Sequence, residues 1–218
     1  MKKLLPLISI ILLISSLQAQ KTSFCLWPSL NLGINHSKII SSAYMLEGNF
    51  NLSKSNVVFL SLTPSLTIAP VKYLSLMGEL RLQTVGVWPL EIRPRANATL
   101  QFKTRYIGIS DRNRMEFRFT PKAYNLSLRY RNYLKFDLLT AANHGVIPYI
   151  GHEIFVDRNK SGKMGAWFHQ SWLGVNLAKL NIMAAVEMDI KHSTTATFVD
   201  ALQIFAMYTF KINASKKS

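Results

Sequence analysis

Arginine and glutamate recur two positions apart along this 218-residue chain, and they are the side chains with the most evident chemistry. Glu79-Leu80-Arg81, Arg93-Pro94-Arg95, Glu116-Phe117-Arg118 and Arg129-Tyr130-Arg131 each place two charges around one apolar or aromatic residue, and Glu153 and Glu187 follow. A guanidinium presents a planar fork of N–H donors that matches a carboxylate. An isolated buried charge is costly, whereas a closely paired and hydrogen-bonded one is tolerated. Such a set facing one interior forms a salt-bridged network, while an interior dominated by one sign would mark an ion-selective pore. The candidate network is Glu79, Arg81, Arg93, Arg95, Glu116, Arg118, Arg129, Arg131, Glu153 and Glu187. These residues could line a path for a polar solute or brace neighbouring strands, and the brace is favoured because opposite charges across strands stabilise a sheet.

Strands must position them. From Leu90 to Lys103 every even position is apolar (Pro94 included) and every odd one is polar. Period-2 alternation makes a strand with one wet and one greasy face. Such a stretch is long against the ~5–6 residues usual in soluble sheets and suits the roughly 9–11 of a tilted membrane-crossing strand. The alternation recurs at 44–52, 58–68, 74–83, 114–119, 126–138, 150–156, 167–177, 182–190 and 198–210. Turn-like breaks fall at Lys54-Ser55-Asn56, Pro70-Val71-Lys72, Asp111-Arg112-Asn113, Pro121-Lys122-Ala123, Asn143-His144-Gly145 and Asn159 to Gly162. Taking Asp111 to Asn113 as a turn gives twelve strands, the even number expected of a bacterial single-chain barrel with both termini on the periplasmic side. Taking Asp111 to Asn113 as a bulge gives eleven, and taking more of the breaks as bulges gives ten. Trp27, Tyr44, Trp88, Tyr106, Tyr124, Tyr149, Trp167 and Tyr208 lie near strand ends, as the aromatic girdles of a barrel would.

The ends bound the compartment. Met1-Lys2-Lys3, an apolar run from Leu4 to Leu17 and Gln18-Ala19-Gln20 have the layout of a cleaved secretory signal peptide. The apolar run is too short for a spanning helix, which needs ~20 residues. The lone Cys25 forms no internal disulfide, and Thr22-Ser23-Phe24 before it does not make a lipobox. The formal charge of +15 suggests a nucleic-acid binder until it is mapped. The polar strand faces carry nearly equal numbers of bases and acids, so the excess lies in turns and tails. Nucleic-acid recognition wants bases and aromatics in one patch, and these are scattered. The basic loops instead suit phosphate-bearing lipid headgroups.

No phosphate-cradling glycine loop, His-Glu-x-x-His or cysteine cluster appears, so no catalytic residue, metal site or cofactor is expected. His169 and Ser171 share a strand face, as a nucleophile and base would. Two positions along one strand separate Cα atoms by ~6–7 Å, too far for an easy direct hydrogen bond. His152 falls on the apolar face beside Ile150 and Ile154, where a histidine with a structural partner is the expectation.

The second half resembles a known family. Arg114-Met115-Glu116-Phe117-Arg118-Phe119, Leu128-Arg129-Tyr130-Arg131, His152-Glu153-Ile154-Phe155-Val156 and Phe168 to Gly174 are similar to signature blocks of the domain-of-unknown-function family 2490. The resemblance covers roughly 75 to 212 and implies an exported, predicted outer-membrane barrel of Gram-negative bacteria, with no reaction attached. Two positions depart from the family pattern: His152 stands where Asn is usual, and Gln170 where Arg is. If that Arg normally pairs with the Glu, Glu153 must here find another base, Arg129 or Arg131.

The sequence thus predicts a signal peptide at 1–20, an antiparallel transmembrane β-barrel of about twelve strands at 21–212, and a basic tail at 213–218. The expected function is that of a non-enzymatic outer-membrane barrel, structural or transport-associated, with a salt-bridged polar lumen. Its expected partners are outer-membrane lipids and the barrel-insertion machinery, with no nucleic acid, and it is expected to be a monomer. The competing readings are a soluble periplasmic barrel or sandwich that binds a ligand, and a barrel-embedded lipid hydrolase.

Overall fold

The structure is a computed structural model that describes residues 22–85, 90–120, 125–158, 164–192 and 197–214. The expected signal peptide, Trp88, Tyr124 and the end of the basic tail lie outside the described residues. Eleven strands follow in chain order: β1 (Ser23–Asn35), β2 (Ile40–Asn51), β3 (Asn56–Val71), β4 (Leu74–Val85), β5 (Leu90–Lys103), β6 (Ile107–Thr120), β7 (Asn125–Leu138), β8 (Val146–Arg158), β9 (Met164–Leu177), β10 (Ile182–His192) and β11 (Thr197–Asn213). One short 3₁₀ helix, Leu139–His144, joins β7 to β8 and ends on Gly145 in the left-handed region (φ 78°), which glycine adopts without strain.

Each strand pairs antiparallel with its chain neighbour, and β1 closes the barrel against β11. The strand number lies within the expected ten to twelve and equals the count of eleven reached when Asp111-Arg112-Asn113 makes no turn. Asp111-Arg112-Asn113 is neither turn nor bulge: it lies inside β6 and pairs in unbroken register with β5 and β7, as in Thr99↔Arg112 and Asn113↔Asn132. In a meander of odd number the first and last strands run the same way. The closing seam is therefore parallel, from Ser23↔Ala201 to Asn35↔Asn213, and Asn35 Nδ2 donates to Asn213 Oδ1 across it at 2.8 Å. The start of β1 and the end of β11 consequently lie at opposite ends of the barrel, against the expectation of both on one side.

Side chains sort by face as the alternation requires, but inside-out relative to a water-soluble domain. Buried positions include Glu47, Arg81, Arg93, Arg95, Glu116, Glu153 and Glu187, while Leu30, Leu46, Leu62, Leu90, Leu100 and Leu134 are exposed. The polar face lines the lumen and the apolar face forms the outer wall. Two of the expected girdle aromatics belong inside instead. Tyr149 is 2% exposed and Trp27 packs against the small buried cluster of Tyr149, Ala185 and Phe205. Tyr149 is drawn inward by the phase of β8, since it shares a face with Glu153 and Phe155.

Candidate functional site in the lumen

The lumen network grows from strand register. Glu79 pairs with Arg95, Arg95 with Glu116, Glu116 with Arg129 and Arg129 with Asp157, a row of alternating sign that crosses β4 to β8. Cross-strand neighbours lie close enough for their side chains to interact directly, so the row is a ladder of favourable pairs. Glu116, fully buried, is its centre. Arg95 approaches at 2.9 Å, Arg93 at 3.4 Å, and Arg118 and Arg131 each at 3.9 Å. Around it, Glu79 meets Arg114 at 3.4 Å and Arg95 at 3.7 Å, and Glu91 meets Arg118 at 2.9 Å. Arg81 reaches Glu47 at 3.3 Å, and Ser61 Oγ donates to the same carboxylate at 3.1 Å. Arg129 grips Asp157 with both arms of its fork.

Glu153 answers the question that Gln170 raises. Arg131 holds it bidentately, Nε to Oε1 at 3.0 Å and Nη2 to Oε2 at 2.7 Å, and Arg112 adds a contact at 3.3 Å. Arg129 is engaged by Asp157 instead. Gln170, directly opposite Glu153, donates from Nε2 to Asp189 Oδ1 at 2.7 Å. Nine of the ten expected network residues therefore form ion pairs, eight of them in one connected set and Arg81 in a separate pair with Glu47. Arg112, Arg114, Glu91 and Asp157 belong to that connected set as well. Arg112 was hidden because Asp111 and Asn113 interrupt the apolar alternation and imitate a turn, although Gly108, Ser110, Arg112, Arg114, Glu116 and Arg118 already share one parity.

Glu187 is the exception. It is fully buried, yet among the described residues no cation pairs with it and no donor reaches either carboxylate oxygen. It faces the other half of the lumen, opposite Trp172 and Gln203. That half is aromatic. Trp27 stands edge-on to Phe59 and to Phe205, both at 5.5 Å between centroids, and Trp172 meets Phe205 at 5.6 Å. Gly174 and Gly151 leave room for tyrosines lying along the wall. A Cβ on Gly174 would come within 2.6 Å of Tyr149 Oη and of the Ala184 backbone oxygen, and one on Gly151 within 2.5 Å of Tyr133 Oη.

The arrangement leaves two cavities of about 330 Å³ each, toward opposite ends of the barrel, with Trp27, Arg81 and Arg131 lining both. Those residues belong to a mid-barrel layer of paired charge and stacked rings. Chemically such a layer holds opposite charges against each other, while Trp27 Nε1, Arg81 Nε, Tyr149 Oη and Trp172 Nε1 are buried without a hydrogen-bond partner. Among the described residues no group of three or more His, Cys, Asp or Glu is placed to hold a metal.

The remaining polar residues singled out by sequence lie on the outer wall. His152 and Ser171 are direct cross-strand partners, with His152 Nδ1 3.1 Å from Ser171 Oγ. His152 Nε2 lies 3.2 Å from His169 Nδ1, and the two rings stack at 5.2 Å. The partner of Ser171 is therefore the histidine across the strand pair, a relation that spacing along one strand could not disclose.

Fold and lumen together define a closed, eleven-stranded β-barrel with a charged interior and an apolar exterior. The chain belongs to the family described as protein of unknown function (DUF2490), which matches residues 24–213 and so takes in every strand. No curated protein matches the chain.

Proposed function

We propose that this protein is an outer-membrane β-barrel whose lumen is sealed by its own ion pairs and aromatic side chains, acting as a structural or transport-associated component of the envelope. The observation that carries this reading is the inversion of the two faces: buried arginine and glutamate inside, exposed leucine and aromatic residues outside. A water-soluble barrel would bury the leucines and hydrate the guanidiniums. A closed barrel also satisfies every ladder hydrogen bond without an edge, which a hydrocarbon environment demands. Strands of 11 to 17 residues reach or exceed the roughly 9–11 that a tilted crossing needs. Membrane fractionation tests the reading. The chain should stay in the membrane pellet through carbonate and high-salt washes and show a folded band on unheated gels that shifts on boiling. Release by carbonate alone would overturn it. Planar bilayers test the seal: the wild-type barrel should give no defined conductance steps.

A further inference from the structure

The two cavities of the lumen have different walls. The one that Asn31, Met183 and Met207 line divides around the barrel into two arcs. On β9–β11 and β1 its wall is Trp172, Met183, Phe205, Met207 and Trp27, with no charge. On β4–β7 it is Glu79 and the guanidiniums of Arg81, Arg95, Arg112, Arg114 and Arg131. Glu47 and Glu153 are its other acids, so the cations outnumber the anions. Trp27 Nε1, Trp172 Nε1, Thr63 Oγ1, Arg81 Nε, Arg95 Nη2 and Arg112 Nε are buried here with no hydrogen-bond acceptor among the described residues. The unpartnered acceptor of this wall, Glu79 Oε2, lies 3.4 Å from Arg114. In the other cavity the amide oxygens of Asn49, Gln83 and Gln170 are unpartnered as well, so donors and acceptors mix there. A buried donor without an acceptor is unfavourable, and an anion suits a wall of donors.

Arg112 is the guanidinium that an incoming anion can reach. Its side chain is 27% exposed, against 1–11% for the other four. Among the described residues Glu153 engages only its Nη2, at 3.3 Å, and Arg131 holds Glu153 independently. An aromatic run leads away from it. The Arg112 guanidinium stands over the Tyr133 ring at 5.0 Å, Tyr133 meets Trp172 edge-on at 6.3 Å, and Trp172 lies 6.2 Å from Trp27. Met45, Met77, Met183 and Met207 line the same space, and Met183 pairs with Met207 across β10 and β11. Methionine is flexible and polarisable, so it moulds itself to apolar bodies of different shape. Ligand pockets combine such apolar walls with a few placed polar groups, and about 330 Å³ is at the small end of their ~300–1,000 Å³ range.

We infer that this cavity binds a small amphipathic carboxylate, with its head on Arg112 and its apolar body along Tyr133, Trp172 and the methionines. The inference goes beyond the envelope role above and does not need it, because the cavity lies inside the barrel whatever surrounds the outer wall. It also agrees with a sealed lumen, since the layer of Trp27, Arg81 and Arg131 separates this cavity from the other. Water would satisfy the same donors but gains nothing from the ring and thioether surfaces.

Titration calorimetry on the full chain in bilayer nanodiscs, with empty nanodiscs subtracted, tests this. Naphthoate should bind at one site with a Kd of roughly 10–100 μM, and octanoate at the same site; the tighter of the two identifies the body as aromatic or aliphatic. Naphthamide, with the same rings and no charge, should bind at least about tenfold more weakly. Arg112→Gln should weaken naphthoate about tenfold or more and leave naphthamide unchanged, a split that a general loosening of the lumen would not give. Arg112→Lys should recover part of the loss. Ala43→Phe, which fills the cavity from β2, should abolish binding of both while the folded band on unheated gels persists. No saturable naphthoate binding to a folded barrel would overturn the site and leave the membrane reading intact. So would equal affinity for naphthamide, or naphthoate binding that survives Arg112→Gln or Ala43→Phe. Release of the chain by carbonate would overturn the membrane reading alone, and the same titration on the released barrel would still decide the site.

Discussion

Glu116 and Glu187 are equally buried carboxylates in one lumen, and they sit in opposite environments. Glu116 has four guanidiniums within salt-bridge distance; Glu187 has none among the described residues and lies beside Trp172. The first is a hub whose removal takes an anion from four guanidiniums at once. The second adds an acid to an aromatic half that packs without it. Burial alone therefore says little about what a charge contributes. What matters is how many partners would be stranded by its loss.

The largest expected effect follows from stranding the most charge. Glu116→Ala should destabilise the barrel by about 3–5 kcal/mol, the cost of leaving buried cations without their anion, read as a lower urea midpoint for unfolding from detergent or bilayer. If Glu116→Ala and Glu187→Ala had the same effect, the contrast between the two halves would be false. Next comes the aromatic half: Gly174→Val should cost roughly 1–3 kcal/mol by driving a side chain into the Tyr149 ring, and Tyr149→Ala in the same chain should recover part of the loss. Glu187→Gln should change the midpoint by no more than about 1 kcal/mol, or raise it, because it replaces a buried acid that has no counterion by a neutral amide of the same shape. A large loss here would reveal a cation partner for Glu187. Smallest is the partly exposed pair Lys135–Asp137, at 2.8 Å: Lys135→Met should cost less than about 1 kcal/mol, and salt should mask that difference.

Much of this was legible in the chain. The alternation in β5, with Arg93 and Arg95 on one face and Leu90 and Leu100 on the other, is read directly from residue types. So is the membership of Glu116, Arg118, Arg129, Arg131 and Glu153 in a shared polar face. The misreadings have local causes. Asp111 and Asn113 look like turn residues, yet backbone pairing to both neighbours keeps them in β6, and this one segment changed the strand count and hid Arg112. Aromatics near strand ends suit a girdle, which predicts Trp27 and Tyr149 at the interfaces. Parity with Cys25 and Ser29, and with Glu153, turns them inward.

The sequence by itself determined which side chains share a face, because strand geometry sends successive residues to opposite sides whatever the neighbours are. It also determined that the two faces differ in polarity along most strands. Only the tertiary structure decided which face turns inward, since closing a sheet the other way would keep the same alternation. It likewise decided the partners. Glu79, Arg95, Glu116, Arg129 and Asp157 form a row, and Ser171 meets His152, through register, which depends on how eleven strands slide and tilt to close one cylinder.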